Sequence, residues 1–414
     1  MAEQEIIAGL DIGSTAIRMA VGQYVGNQEK IHIIGSAEVG AEGISKGVIS
    51  SIEDAVSSIS ACLEKAERMV GLPIESAWVG ISGSHIISQE SRGVVAVARS
   101  DGEISEDDIE RAIEAARTVA TPQNYEILHV IPKSFTVDGQ AGIKDPLGMT
   151  GVRLEVDTQI IQGLTSQIKN LTKAVYRPGI NIEDLVLSIL ATAEAVLTNR
   201  QKELGVAIVN IGGATTSLAV FEEGDILHTA VLPIGSDHIT SDVAIGLRIP
   251  IDTAEKIKLE YGTATSEGVG KRDEIDIGIL EGKESNFVSK KYIAEITEAR
   301  VEEIFEKIDG ELKKIDRSGK LPAGVVLTGG GSKLFGMEEA AKLRLRLPAA
   351  LGQPLNITSA IDKVNDPAFS TALGLVVWGS QMRGRNQGGG LGKWFNLVPG
   401  FKGLAGKFKK IFKR

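Results

Sequence analysis

A chain of 414 residues, 43% hydrophobic and 24% charged, can hold two or more domain-sized cores and has the balance of a soluble globular protein. Cys62 is the only cysteine, which excludes a disulfide framework and a cysteine-built zinc site; no apolar run nears the roughly 18 residues of a membrane span, and the acidic start Met1-Ala2-Glu3-Gln4-Glu5 predicts no signal peptide. The net charge of −9 is uneven: nine Lys/Arg and no Asp or Glu from Arg383 onward leave 36 basic and 54 acidic side chains on the body, a balance of −18 that argues against nucleic acid gripping it.

The first predicted element is a hairpin. Ile7 to Val21 reads IAGLDIGSTAIRMAV: an apolar strand, a turn of small polar residues, then a second apolar strand. The run Val206 to Val220, VAIVNIGGATTSLAV, repeats it at a constant offset of 199, with identities at Ala8/Ala207, Ile12/Ile211, Gly13/Gly212, Ala20/Ala219 and Val21/Val220. Glycine and hydroxyl residues in such turns leave backbone N–H groups bare, and two cradles facing each other could clamp a polyphosphate.

After the first hairpin, Ile31 to Val39 continues the sheet. Ser50 as N-cap with Glu53 three later reads as a capping box opening a helix. Its stripe is Ile52, Val56, Ile59, Leu63, Ala66 and Val70, and Gly71-Leu72-Pro73 ends it. Cys62 lies beside that stripe, as a core residue rather than a nucleophile. Ser76 to Ser82 is another strand. From about His85 the composition shifts: strands Gly93–Arg99 and Gly151–Ile161 flank a helix from Ser105 to about Val119, with a second box at Ser105-Glu106-Asp107-Asp108. This predicts a βαββ insertion, residues 85–162. Helical periodicity returns at Leu164–Arg177, Ile182–Leu190 reads as a strand, and Thr192–Asn199 as a helix.

The second half repeats the plan. Strands Val206–Phe221 and Ile226–Pro233 lead to a helix at Ser236–Leu247, then to a helix capped by Asp252 with Glu255 at its third position and ending at Gly262. A charged stretch, Ser266–Ser289, precedes a long helix from about Lys290 to Ile315. Gly324 to Leu327 is a buried strand, and Thr328-Gly329-Gly330-Gly331-Ser332 a Gly-rich turn before a helix at Gly336–Leu345, a further place to hold an anion or an adenosine. A flexible linker follows at 383–392. The end, 393–414, reads as an interfacial amphipathic helix: Phe401, Leu404, Ala405, Phe408, Ile411 and Phe412 recur at helical spacing, most lysines take the other side, and Trp394 and Phe395 precede. Five large apolar side chains at ~1.5–3 kcal/mol each, with cations worth up to about 1 kcal/mol each on an anionic leaflet, exceed the ~1 kcal/mol per residue of ordering by a small, reversible surplus. The membrane-binding set is therefore Trp394, Phe395, Phe401, Leu404, Phe408, Ile411 and Phe412, with Lys402, Lys409 and Lys410.

Two phosphate hairpins, an adenosine turn at Leu327 to Gly331 and an Ala254-Glu255-Lys256-Ile257-Lys258 helix resemble the actin-like ATPase superfamily and, within it, the FtsA family of bacterial cell-division proteins. The likeness covers nearly the whole chain, including His129-Val130-Ile131-Pro132, Gly142 to Gly148 and Pro354-Leu355-Asn356-Ile357. It implies an α/β, two-lobed fold of duplicated ribonuclease-H-like domains. The first lobe would take residues 1–84 and 163–202, the second lobe core 203–237 and 317–382, and its subdomain 238–316. The insertion would be the family's small subdomain and the tail its membrane-targeting helix.

The resemblance further implies a peripheral membrane adaptor at the division septum, on the cytoplasmic side of the inner membrane. It would bind ATP with Mg²⁺, polymerise with itself into filaments, hold the C-terminal tail of FtsZ, attach to anionic lipid, and recruit later division proteins through the insertion, without nucleic acid. Asp11, Gly13, Ser14 and Thr15 would form the first phosphate loop and Gly212, Gly213, Thr215 and Thr216 the second. Gly329, Gly330, Gly331 and Ser332 would hold the adenosine, with Glu255 and Lys258 near base or ribose. Asp11 and Asn210 would meet Mg²⁺ through water. Arg300, with Lys290 and Lys291, would meet the acidic FtsZ tail. Asn210 departs from the superfamily's usual Asp, and Glu194 is out of register for positioning a water, so hydrolysis is expected to be slow or absent. A soluble sugar or acetate kinase, a pilus-assembly relative and a chaperone-like ATPase are the alternatives; the basic amphipathic tail distinguishes the adaptor from the first two, and the third is expected to carry a peptide-binding domain after the ATPase body, of which the sequence gives no sign.

Overall fold

A computed structural model of the chain describes residues 6–23, 30–118, 122–270, 272–278 and 285–385; the amphipathic segment 393–414 lies outside the described residues. The first hairpin is β1 (Ile6–Ile12) and β2 (Ala16–Gln23), continued by β3 (Ile31–Gly40) and a small ribbon of β4 (Ile44–Ser45) and β5 (Val48–Ile49). Helix α1 (Ile52–Val70) and β6 (Ser76–Ile81) follow. The insertion comprises β7 (Ile86–Ala96), α2 (Glu106–Thr118), β8 (Tyr125–Val137), β9 (Gln140–Ile143) and β10 (Arg153–Leu164). The first lobe resumes with α3 (Thr165–Tyr176), β11 (Asn181–Leu187) and α4 (Ser188–Val196).

After α5 (Asn199–Leu204) the plan starts again with β12 (Val206–Ile211), β13 (Thr216–Glu222), β14 (Asp225–Leu232), α6 (Ser236–Leu247) and α7 (Ile251–Tyr261). Then come β15 (Glu274–Asp276), β16 (Phe287–Ser289), α8 (Lys290–Lys314), β17 (Val325–Thr328), α9 (Met337–Leu345), β18 (Ala349–Leu351), β19 (Ile357–Ser359) and α10 (Ser370–Arg385). The two main sheets run β11-β6-β1-β2-β3-β19 and β14-β13-β12-β17-β18. Read from the hairpin outward they share one topology: a three-stranded antiparallel meander, then two parallel strands. The duplication extends to single bonds. Gly13 N–H donates to the Ala16 carbonyl at 3.2 Å, and Gly212 N–H to the Thr215 carbonyl at 2.9 Å, both at the offset of the sequence repeat.

One core fills the first lobe and runs on across the junction to Val206, Ile208, Ala219, Phe221, Ile226 and Val326 of the second lobe's sheet; a second core lies within the second lobe and a third within the insertion. Helix α10 buries Ala372, Leu373, Leu375 and Val376 against β1, β2, β6 and α4, each large side chain contributing about 1.5–3 kcal/mol. The approach is close enough that a Cβ on Gly374 would meet the Ala191 carbonyl oxygen at 2.0 Å. Strand β19 pairs in parallel with β3, Ile357 opposite Ile31. These pairings assign residues 357–382 to the first lobe, which corrects the expected grouping of 317–382 with the second. Helix α10 also occupies the first three residues of the expected linker.

Local expectations change at four other places. The cap of α1 is Ser51, whose Oγ accepts the Asp54 N–H, while the Ser50 N–H is spent on the Gly43 carbonyl. Residues 188–190 begin α4 rather than ending a strand. Pro250 precedes α7, so Asp252 lies within its first turn and caps nothing. The insertion sheet has four strands, β7-β10-β8-β9, the extra one being the short arm of a hairpin that turns through Asp138 and Gly139 at φ 48 and 90. Its capping box forms with an aspartate: Asp108 accepts from the Ser105 N–H at 2.9 Å and hydroxyl at 2.6 Å, and from the Ala98 N–H at 3.0 Å. Cys62 is buried, its thiol pushed up to about 12 chiefly by burial, an inert core residue as expected.

Candidate functional site

The two matched turns face each other across a cleft of about 720 Å³ between the lobes, a volume that suits a small ligand. The first lobe contributes Asp11, Gly13, Ser14 and Thr15; the second Asn210, Gly212, Gly213 and Thr215; α7 Glu255 and Lys258; and the turn after β17 Gly329, Gly330 and Gly331. Two of the expected residues point elsewhere. Thr216 is fully buried at the start of β13 and donates to the Ile234 carbonyl at 2.8 Å. Ser332 is buried and donates to the Gly329 carbonyl at 2.7 Å, so it fixes the shape of the Gly329–Gly331 turn from behind.

The turns fit a phosphate group in two ways. Among the described residues no acceptor meets the N–H groups of Ser14, Gly213 or Ala214, which lie beyond the self-bonded Gly13 and Gly212. Glycine is also required where the lobes close: a Cβ on Gly213 would stand 1.9 Å from Thr15 Oγ1 and 2.7 Å from Asp237 Oδ2. Gly329 turns at φ 85, and a Cβ there would meet Asn210 Oδ1 at 2.4 Å. Two hydroxyl contacts bridge the lobes at this level. Thr15 Oγ1 donates to Asp237 Oδ2 at 3.5 Å, and Ser82 and Ser217 share a hydrogen bond of 3.0 Å.

Charge in the cleft is unevenly satisfied. Burial pushes the Asp11 carboxyl up to about 6, and Arg18 on the neighbouring strand offsets this only in part, because its guanidinium is engaged by Glu38 at 2.8 Å. Asp11 is therefore short of positive charge, which suits a hydrated divalent cation. Asn210 occupies the equivalent place in the second turn. Its Nδ2 donates to Thr371 Oγ1 at 3.0 Å, Thr371 shares a hydrogen bond with Thr192 at 3.0 Å, and Thr192 donates to the Ser188 carbonyl at 2.8 Å. This buried chain ties the second lobe's turn to α10 and α4 of the first. Lys258, nearly buried, reaches Glu255 at 2.6 Å, Thr240 at 2.8 Å and the Ser236 carbonyl at 3.4 Å, so α6 and α7 are locked side by side. Among the described residues no group of three or more His, Cys, Asp or Glu gathers as a metal cluster.

Several cleft residues carry no sequence signal. Asp237 lies in the first turn of α6, and burial raises its pKa against the opposing pull of Lys258. An acid there resembles ordinary compensation of a helix terminus. Lys333, paired with Asp366 at 2.7 Å, and the exposed Leu259 and Phe335 line the mouth beside the Gly329–Gly331 turn. Glu194 is absent from the cleft; its carboxylate receives Lys202 Nζ at 2.7 Å on the far side of the lobe junction.

The expected partner site is less open than the sequence implies. Arg300 holds Asp242 of α6 with two bonds, of 2.6 and 2.9 Å, and also engages Glu303, so its donors are turned inward. Lys290 lies over the Tyr261 ring at 5.5 Å, and Lys291 is half-buried beside it at the start of α8.

The family model for cell division protein FtsA matches residues 207–374, and the model for the SHS2 domain inserted in FtsA matches residues 83–162. The chain is 38% identical to cell division protein FtsA of Pseudomonas aeruginosa, covering 91% of this chain and 90% of that one. It is 38% identical to that of Bacillus subtilis, covering 91% and 84%. Among solved structures, a chain of the PilM–PilN type IV pilus biogenesis complex superposes with a TM-score of 0.65 at 17% identity, covering 90% of this chain and 98% of that one. MreB5 of Spiroplasma citri bound to AMPPNP superposes at 0.56 with 13% identity, covering 93% and 99%. These likenesses show an actin-like fold.

Proposed function

The chain belongs to the FtsA family of cell-division proteins, and from that membership we propose that it acts in division as an ATP-binding, filament-forming adaptor between the cytoplasmic membrane and the FtsZ ring. The observation that carries the nucleotide half is the pair of matched glycine turns, with uncommitted N–H groups facing one another across a cleft of about 720 Å³. A solved relative of the same fold, MreB5, is bound to AMPPNP, which supports the same ligand class here. The turns would hold the phosphates, Gly329 to Gly331 the adenosine, and Lys258 would stiffen the α6–α7 wall. Mg²⁺ bound near Asp11 and Asn210 would supply positive charge against the phosphate oxygens. Asn210 contributes a carbonyl without charge, so we infer that hydrolysis is slow or absent.

The adaptor half rests on the amphipathic pattern of 393–414 and on family membership. Among the described residues no helix is long and apolar enough to cross a membrane, in keeping with peripheral attachment. The FtsZ tail would lie along α8 and α6, where Arg300 takes part by changing partners.

Titration calorimetry with ATP, with and without Mg²⁺, tests the nucleotide reading: binding that needs Mg²⁺ and is lost in Asp11→Ala is expected, and no binding by the parent protein removes it. Sedimentation with anionic vesicles tests the anchor, which fails if truncation after Gly390 leaves sedimentation unchanged. Phosphate release in the steady state tests the inferred slow chemistry; brisk turnover lost in Asp237→Asn would move the water-positioning role to Asp237.

A further inference from the structure

A second cavity, of about 410 Å³, opens on the rear of the molecule, away from the phosphate turns. Its walls include both chain crossings between the lobes. The first follows α4 and brings Leu197 and Thr198; the second, between β18 and β19, brings Leu355. Helix α10 closes a third side with Val377 and Gln381. Among the described residues the one charged side chain lining it is Glu194, whose carboxylate receives Lys202 Nζ at 2.7 Å and Gln381 Nε2 at 3.1 Å. A carboxylate offers about four lone-pair sites, so it can accept one donor more. Ile31, Leu197, Leu355 and Val377 give the pocket an apolar wall, Thr198, Asn199, Asn356 and Ser380 a polar rim, and Glu194 an acidic acceptor, a mixture that suits an aromatic ring carrying an N–H and repels an anion.

The chain itself supplies such a group within reach. Helix α10 ends at Arg385, about 6 Å beyond Gln381 along the helix axis. The seven residues from 386 to 392, four of them glycine, can span at most about 25 Å. Lys393-Trp394-Phe395 come next. Tethering at this range gives a high effective concentration. The nine basic residues from Arg383 onward also face a body whose balance is −18.

We propose that the rear cavity docks Trp394 when the C-terminal segment is not on lipid, its indole N–H turned to Glu194. The occupant sits between both crossings, so docking also restrains the angle between the lobes and thereby the nucleotide cleft. Docking needs no lipid; its consequence, competition between cavity and membrane, rests on the anchor reading above.

The test uses the full chain labelled with 5-fluorotryptophan, whose three ¹⁹F resonances belong to Trp78, Trp378 and Trp394 and are assigned with Trp394→Phe. Without lipid, the Trp394 resonance is expected away from its position in a free 393–414 peptide. Leu355→Tyr and Asn199→Tyr, which fill the cavity from either crossing, should move it to that position while Trp78 and Trp378 stay in place. If Leu355→Tyr does not fold, Asn199→Tyr, at an exposed position, carries the test. Both variants should then bind vesicles of 70% phosphatidylcholine and 30% phosphatidylglycerol more tightly, about tenfold if nine chains in ten are docked. A parent Trp394 at the free-peptide position overturns the proposal, as does a displaced resonance that neither variant moves. Displacement that vanishes on dilution assigns the contact to a second copy and overturns it too. A docked Trp394 in a chain that ignores vesicles leaves the docking standing and removes the anchor reading.

Discussion

Asn210→Asp asks whether the second turn is held by a chain of hydrogen bonds with a fixed direction. The Thr192 hydroxyl proton goes to the Ser188 carbonyl at 2.8 Å, so the bond between Thr192 and Thr371 must be donated by Thr371. Thr371 then accepts, and position 210 must give a proton, as Asn210 Nδ2 does at 3.0 Å. An ionised aspartate has none to give. Either the Thr371 hydroxyl turns toward it and Thr192 loses its donor, or two oxygens face each other. The first outcome costs about 1 kcal/mol and the second up to ~3 kcal/mol. The new charge also shares the cleft with Asp11, already raised to about 6 by burial. The nucleotide-free variant is therefore expected to melt several degrees below the parent in EDTA at pH 7.5, at roughly 2–4 °C per kcal/mol. The deficit should shrink as the pH falls toward 5, because a protonated carboxyl can donate again, and shrink with Mg²⁺ and ATP, which answer the charge. In the double variant with Thr371→Val the two costs should be less than additive. Equal melting of variant and parent in EDTA at pH 7.5 would refute the directed chain. Phosphate release measured on the same samples reports whether the added carboxylate speeds turnover.

In Gly213→Ala the new Cβ would fall 1.9 Å from Thr15 Oγ1, so the lobes must part; calorimetry should show ATP affinity at least about tenfold weaker, ~1.4 kcal/mol, with melting little changed. Burial alone would raise the Asp108 carboxyl, but the Ser105, Ala98 and Arg111 donors hold it down to about 2, against an ordinary 3.8. Its contribution, on the order of 2 kcal/mol, is present above about pH 4 and lost as the pH falls through about 2. Urea unfolding of Asp108→Asn should be weaker at neutral pH and lack that acid limb; identical limbs in variant and parent would refute the assignment. Burial pushes the His129 imidazole down to about 4, and its Nε2 accepts the Leu187 N–H at 3.0 Å. The neutral ring stabilises fully above its ordinary pKa near 6.5 and progressively less toward pH 4, so its NMR resonances should not titrate between pH 8 and 5.5. If Arg300 meets an acidic tail by releasing Asp242, then Asp242→Asn should bind an FtsZ tail peptide more tightly and Arg300→Ala more weakly; equal loss in both would make Arg300 a packing residue.

What the sequence discloses here is local, and what it conceals is pairing. The two hairpins are legible because a strand buried on both faces, a turn of small residues and a second buried strand are all contiguous, and the repeat doubles the signal. The return of β19 and α10 to the first lobe is not, since it joins Thr358 to His32 across 326 positions with no pattern in either segment to announce it. Two adjacent serines offer the same cap to α1; the Gly43 carbonyl accepts both of their N–H groups, and it is Ser51 whose Oγ meets the Asp54 N–H, a choice made by the backbone path and not by residue type. Thr216 and Ser332 have the right chemistry for the cleft, but strand alternation turns one inward and the 3₁₀ turn at Gly330–Lys333 folds the other behind itself. Arg300 marks the same boundary for charge. A sequence shows that a helix carries a cation; whether it is offered to a partner depends on Asp242, 58 positions away on another helix, which already holds it. Any partner that reads Arg300 must therefore supply more than the attraction of an exposed ion pair, because it has to replace a bidentate bond that the fold has already made.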